Sequence, residues 1–209
     1  MVSPARAADE DLQSWTAATA TIDVNKKVVV WLEGQLRMTD NAARAGQILL
    51  RPGIGFKLDK TTTAMLGYAY VRTDPIGPAL MNEHRIWQQL AFRIAGDGKG
   101  VTLTARSRLE QRFIEGSSDM GLRMRQQIRV TFPLAGSVRG VVWTEPFVTF
   151  NTTSWGQRRG LDRWRNSVAL AIPISKTVMI EPGYLNQWVF RPGRDGTHHI
   201  ANLTIAARF

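Results

Sequence analysis

Arginine at every second position is the most chemically distinctive feature of this 209-residue sequence. Arg106, Arg108, Glu110 and Arg112 form one such run, and Arg123, Arg125 and Arg129 the next. Glu33, Arg37, Arg51, Arg85, Arg93 and Glu145 repeat the theme elsewhere. A guanidinium stays charged and presents a rigid fork of donors, which suits enclosed networks with carboxylates or the holding of an anion. Alternate spacing places such side chains on one face of a strand. We assign these thirteen positions to the lining of a barrel lumen. They form either a filling ion-pair network or a positive interior that attracts anions. Barrel width favours the filled form, because about eight strands leave a space that side chains occupy and about sixteen leave a channel.

Other residue types offer weaker chemistry. His84, His198 and His199 fall where strands enter polar loops, near Asn82, Glu83, Ser117, Ser118, Asp119 and Asp195. A His base, a Ser nucleophile and an orienting Asn are the parts of an ester hydrolase. His84, His198, Asn82 and Ser117 are therefore the catalytic candidates of a lipid-modifying reading, although no spacing brings them together. Adjacent His198 and His199 point to opposite faces of a strand and cannot chelate jointly, so no metal is expected. The glycines of Leu50-Arg51-Pro52-Gly53-Ile54-Gly55-Phe56 follow no strand-to-helix switch, so no phosphate loop and no cofactor is expected. Loop cations Arg44, Arg158, Arg159, Arg191 and Arg194 are placed to meet phosphorylated lipid of an outer leaflet.

Composition narrows the class. Lys and Arg number 27 against 17 Asp and Glu, a formal charge of +10, yet 21 of the cations are Arg and they are dispersed. Dispersed cations without a reader motif argue against nucleic acid as a partner. There is no Cys, which removes disulfides and thiolate chemistry. The longest apolar stretches resemble Val28-Val29-Val30-Trp31-Leu32, far too short for a membrane-crossing helix. Met1–Ala8 reads as a signal-peptide remnant or a disordered leader, because Ala5-Arg6-Ala7 has the small-residue spacing of a cleavage site. Residues 9–209 read as one domain.

Period-2 alternation predicts strands at 13–23, 28–38, 47–58, 63–72, 84–94, 101–113, 122–132, 138–150, 161–174, 178–190 and 198–209. Short turn signals alternate with longer polar stretches at 39–46, 73–83, 114–121, 151–160 and 191–197. Long strands, tight turns on one side and longer loops on the other predict an all-β, antiparallel, up-and-down transmembrane barrel of about ten to twelve strands. Turns would be periplasmic and loops extracellular. The apolar face (Leu103, Leu109 and Phe113 in one strand, Met124, Ile128 and Val130 in the next) would meet lipid. Trp155, Trp164, Trp188, Tyr68, Tyr70 and Tyr184 would be girdle members. The last strand ends on Phe209, which resembles the signal read by barrel-assembly machinery and makes that machinery an expected partner. Eleven segments sit badly with the even strand number usual for such barrels. Three arrangements remain open: the first segment threads the lumen beside a ten-strand wall, it closes the barrel in parallel, or a further strand is hidden in a loop.

A family resemblance rests on Asp11-Leu12-Gln13-Ser14-Trp15, Glu33-Gly34-Gln35-Leu36-Arg37, Leu50-Arg51-Pro52-Gly53-Ile54-Gly55, Gly67-Tyr68-Ala69-Tyr70, Glu83-His84-Arg85-Ile86-Trp87-Gln88-Gln89, Arg106-Ser107-Arg108-Leu109-Glu110-Gln111-Arg112-Phe113, Leu122-Arg123-Met124-Arg125 and Gly183-Tyr184-Leu185-Asn186-Gln187. These look like domain of unknown function 2490 along nearly the whole chain. The resemblance implies an exported bacterial protein of outer-membrane barrel type and transfers no catalytic residue. The expectation is therefore an integral outer-membrane barrel of a Gram-negative cell with a narrow Arg-rich lumen and an envelope role, limited anion passage being left open. The alternatives are an outer-rim lipid hydrolase and a soluble periplasmic barrel that binds an acidic ligand.

Overall fold

The structure, a computed structural model, describes residues 9–77, 79–191, 193 and 195–209, with Asp9 by its backbone alone. The leader assigned to Met1–Ala8 and the lipid contact assigned to Arg194 fall outside the described residues. Each predicted segment overlaps one strand: β1 Asp9–Asp23, β2 Val28–Thr39, β3 Arg44–Lys57, β4 Thr62–Thr73, β5 Met81–Ala95, β6 Thr102–Ile114, β7 Met120–Ala135, β8 Val138–Thr149, β9 Gly160–Pro173, β10 Val178–Val189 and β11 Gly196–Arg208. Consecutive strands pair antiparallel, and β1 pairs with β11 to close the barrel.

An up-and-down wall with an odd strand number brings its first and last strands together pointing the same way. The β1–β11 pair is accordingly parallel, from Asp9 opposite Gly196 to Thr21 opposite Arg208. This settles the place of the first segment: it is part of the wall and does not thread the interior. Following paired residues once around the barrel returns to β1 displaced by roughly 14 residues, which corresponds to a strand tilt of roughly 45° and a backbone radius of about 11 Å. At that tilt a 13-residue strand such as β6 rises about 30 Å.

Local chemistry sets the turns. The β1–β2, β3–β4, β5–β6 and β9–β10 turns are each held by a side chain that accepts from amides two and three residues on: Asn25, Asp59, Asp97 and Ser175. Asp59 accepts from the Thr61 amide (2.6 Å), the Thr61 hydroxyl (2.7 Å) and the Thr62 amide (2.8 Å). Those bonds, the Thr61 side chain foremost, lower its carboxyl to about 2. A depressed carboxyl contributes stability above its ordinary range near pH 4 and loses it as pH falls through about 2. Hydrogen-exchange protection at Thr61 and Thr62 should therefore persist at pH 4 and collapse near pH 2, and Asp59→Ala should remove it at every pH. At the opposite end the chain turns more tightly than its polarity predicts. Residues 39–46 read as a long loop, but only residues 40–43 separate β2 from β3, with Asp40, Asn41 and Ala42 at φ 58°, 53° and 58°. The Asp11 carboxylate accepts from the Asn41 amide at 2.9 Å and fixes that turn to β1.

The alternation divides most strands into two faces, with polar outward exceptions that pair with each other at Gln88–Gln111, Ser107–Gln126 and Thr144–Asn166. Outward positions carry Leu32, Leu50, Ile54, Leu66, Ile86, Leu90, Val168 and Leu170, all exposed. Inward positions carry the buried set, including Trp87, Arg108, Glu110, Glu145 and Phe147. Glycine makes room where the interior is widest in side chain. Trp87, fully buried, lies across the cross-strand pair Gly53 and Gly67, and a Cβ on Gly67 would meet its ring at 2.2 Å and the Pro52 carbonyl at 2.4 Å. Gly67→Ala should destabilise by about 1–3 kcal/mol through overpacking, read as a lower denaturation midpoint with an unchanged m-value.

A candidate functional site in the barrel interior

The interior has two halves, named here by the end of the barrel they face. The half under the loops is packed. Glu83 accepts two bonds from Arg85 (both 2.7 Å) and two from Arg112 (2.5 and 3.1 Å). Glu110 accepts from Arg123 Nε (2.9 Å) and Nη2 (2.5 Å) and from Arg125 Nη1 (3.1 Å). Glu145 joins Arg125 at 2.9 Å to Arg106 at 2.7 Å. Arg123 also reaches Asp162 at 3.4 Å, and Asp162 accepts from Arg163 at 2.7 Å. The ring of Phe147 sits among Arg123, Arg125, Arg163 and Arg165, with guanidinium carbons 4.4 to 5.7 Å from its centroid. Charges withdrawn from water need partners of this kind, since an unpaired one costs several kcal/mol.

The loop between β8 and β9 folds inward over this packing. Gln157 bonds to Arg112 at 3.1 Å and to Asn151 at 2.9 Å, and the Trp155 indole donates to the Asp119 carbonyl at 3.1 Å. Arg112 stacks on Trp155 at 4.9 Å. Gly121 admits both, because a Cβ there would meet Gln157 and Trp155 at 2.6 Å. Trp155 therefore covers the loop-side end of the interior between Arg112 and Gly121 and is not a girdle residue. Trp164 and Trp188 are exposed on the outer face near the loop end, whereas Tyr68 and Tyr184 are exposed at mid-strand with their hydroxyls on His84 and His199; Tyr70 lies between Tyr68 and the loop end.

The half under the turns is open. A cavity of about 250 Å³ is lined by Trp15, Trp31, Trp143, Leu185 and Met179 together with Arg37, Arg51, Arg106, Arg125, Arg129, Arg165, Glu33, Glu145 and Glu181. Its lining extends to Thr19, Met179 and Ala206, close to the turn ends of β1, β10 and β11. Side-chain exposure rises in the same direction, from 3% at Arg123 to 26% at Arg106 and Arg129. The interior is thus a cup, closed under the loops and reached from the turns. Arg51 pairs with Glu33 at 2.8 Å, and Arg129 is paired to Glu181. Arg37 and Arg165 meet no carboxylate among the described residues. Arg37 donates to Gln35 and Gln47, and Arg165 to Gln187 at 2.7 Å. Both guanidiniums stack on Trp15, at 3.9 and 4.8 Å from its centroid.

Of the thirteen positions assigned to the lumen, twelve carry these inward networks or line the cup; Arg108 lies against Trp87 at 4.8 Å and donates to Gln89. Arg93 is at the turn rim, donating to the Gly96 carbonyl. Glu83, Asp162, Arg163, Arg165 and Glu181 belong to the interior and were not assigned there from sequence. The catalytic candidates do not converge. His84 lies outside, sharing hydrogen bonds with Tyr68 (2.5 Å) and Glu115 (3.2 Å). Asn82 bonds Glu115 at 2.8 Å, and these two bonds, Asn82 foremost, lower the Glu115 carboxyl. Ser117 pairs with Ser154 at 3.2 Å, and His198 lies between Gln13 and Gln187. Among the described residues no serine hydroxyl bonds a histidine, and no three potential ligands form a metal cluster. Arg44 is held by Asp74 at 2.9 Å, whereas Arg158, Arg159 and Arg191 are exposed in loops at that end.

Comparison with known proteins places the chain in a family and gives no activity. An uncharacterized protein of Methylorubrum extorquens is 35% identical over 205 residues, covering 96% of this chain and 89% of that one. The model of a family described as a protein of unknown function, DUF2490, matches residues 12–198. The chain belongs to the DUF2490 family.

Proposed function

We propose that this protein is an integral outer-membrane barrel of a Gram-negative envelope, with an Arg-rich lumen closed to through-flow by the ion-paired plug under its loops. The observation that carries the reading is the outer face. Leucine, isoleucine, valine and phenylalanine stay exposed around a closed wall, far beyond the few hundred Å² of contiguous apolar surface usual on a water-soluble monomer. A closed sheet leaves no edge to satisfy, which is the condition for a β-structure in hydrocarbon. Trp164 and Trp188 then lie at one interface, and Phe56 and Phe209 near the other. With the turns periplasmic, the exposed Arg158, Arg159 and Arg191 face outer-leaflet phosphate, and the C-terminal strand ending at Phe209 is presented to assembly machinery.

The test is insertion. The chain refolded into phospholipid vesicles should resist protease and migrate faster unheated than heated, and planar bilayers containing it should show no conductance step. A discrete conductance would replace the closed reading with anion passage. A monodisperse folded chain in detergent-free buffer would overturn the membrane assignment.

A further inference from the structure

We propose that the cup under the turns binds a small organic carboxylate with an apolar body. The inference rests on the interior alone and holds whether the wall faces lipid or water. Six guanidinium groups line the cavity against three carboxylates, a surplus of three positive charges around a space of about 250 Å³. Two of the surplus cations are identifiable as Arg37 and Arg165, which have amide partners only and flank Trp15. A second observation points to the same place. Of the four buried polar atoms left without a partner among the described residues, three (Arg51 Nε, Arg106 Nε and Asn202 Oδ1) belong to residues lining this cavity. Buried polar groups are normally satisfied, so these atoms, themselves shielded from the space, show that the side chains of this wall are under-satisfied. The walls supply the other half of the specification: Trp31, Trp143, Leu185 and Met179 offer apolar area with no charge to match. An inorganic anion would satisfy the cations and leave that surface idle, whereas a carboxylate-bearing aromatic or short acyl compound uses both.

The chain in detergent micelles is titrated calorimetrically with phenylacetate, with its neutral analogue 2-phenylethanol, and with inorganic phosphate. Phenylacetate should bind and the other two should bind at least tenfold more weakly. Arg37→Gln and Arg165→Gln keep a hydrogen-bonding side chain and should each weaken phenylacetate about tenfold, the worth of one charge-assisted bond. Arg93→Gln, at the turn rim outside the cup, should change nothing. Because the chain has no Cys, Thr19→Cys places a single thiol at the mouth, and phenylacetate should slow its reaction with a charged maleimide. Equal binding of phosphate, equal binding of 2-phenylethanol, or no binding of any probe by the wild-type chain overturns the proposal. These wild-type titrations decide even if an arginine variant fails to fold. Failure of vesicle insertion alongside phenylacetate binding would remove the membrane reading and leave this one standing.

Discussion

Glu110→Gln is expected to destabilise the barrel by about 3–5 kcal/mol, the typical result of removing one partner from a buried ion pair. Glu110 is fully buried and joins Arg123 to Arg125. Its neutral amide would leave two guanidiniums facing each other across the plug, with Arg125 retaining Glu145 and Arg123 retaining only the longer contact to Asp162. The loss belongs to the stranded charges rather than to the attraction of the pair. The double variant Glu110→Gln with Arg123→Gln should therefore recover part of the loss, a non-additivity of about 1 kcal/mol or more. Urea titration of the vesicle-refolded chain measures both. Strict additivity would mean that the two groups do not act as one network.

Deleting residues 1–23 is expected to abolish the native barrel altogether. β1 pairs with β11 through thirteen residues and with β2 through ten. Without it, β2 and β11 expose two long rows of unpaired amides and carbonyls, each worth several kcal/mol in hydrocarbon. These two strands run antiparallel, so a ten-strand closure is topologically open to the truncated chain. The interior opposes it. The smaller circumference must hold the same plug, and Trp15, on whose ring both Arg37 and Arg165 rest, is gone. A synthetic peptide of residues 9–23 should restore the heat-sensitive mobility of the truncated chain, because the parallel closure supplies a complete recognition edge. A truncated chain that folds with native stability would show that β1 is dispensable to the wall.

How far the sequence carried this architecture depends on what alternation can encode. In β6 and β7 the period-2 pattern names the faces of most residues, because apolar Leu, Met and Ile, broken only by Ser107, Gln111 and Gln126, alternate with Arg, Glu and Gln. It identified Arg106, Arg108, Glu110, Arg112, Arg123 and Arg125 as one surface. Glu181 and Arg165 have the same parity as their buried neighbours Leu185 and Ser167, so an equal treatment of β9 and β10 would have found them. Glu83 carries a loop signal in the sequence because β5 begins at Met81, ahead of its alternating apolar residues. What alternation cannot encode is height along the barrel axis. The division into plug and cup depends on the stagger accumulated around the eleven strands, which places Arg112 under the loops and Arg129 near the turns. That quantity comes from register, fixed by pairings such as Arg123 with Thr149 and Glu181 with Thr204, and no single segment contains it. The inward fold of Trp155 was hidden for a related reason: a loop sequence does not reveal which side of the rim it covers.

The solvent of the outer face is most directly measured by Leu66→Arg, at the middle of β4 and 51% exposed on the outer wall. If hydrocarbon touches this position, the substitution should cost about 2–4 kcal/mol in the vesicle-refolded chain, as cations do at mid-depth on barrel exteriors. A change within about 0.5 kcal/mol, the usual size for a water-exposed site, would contradict the account and place the leucine face in water.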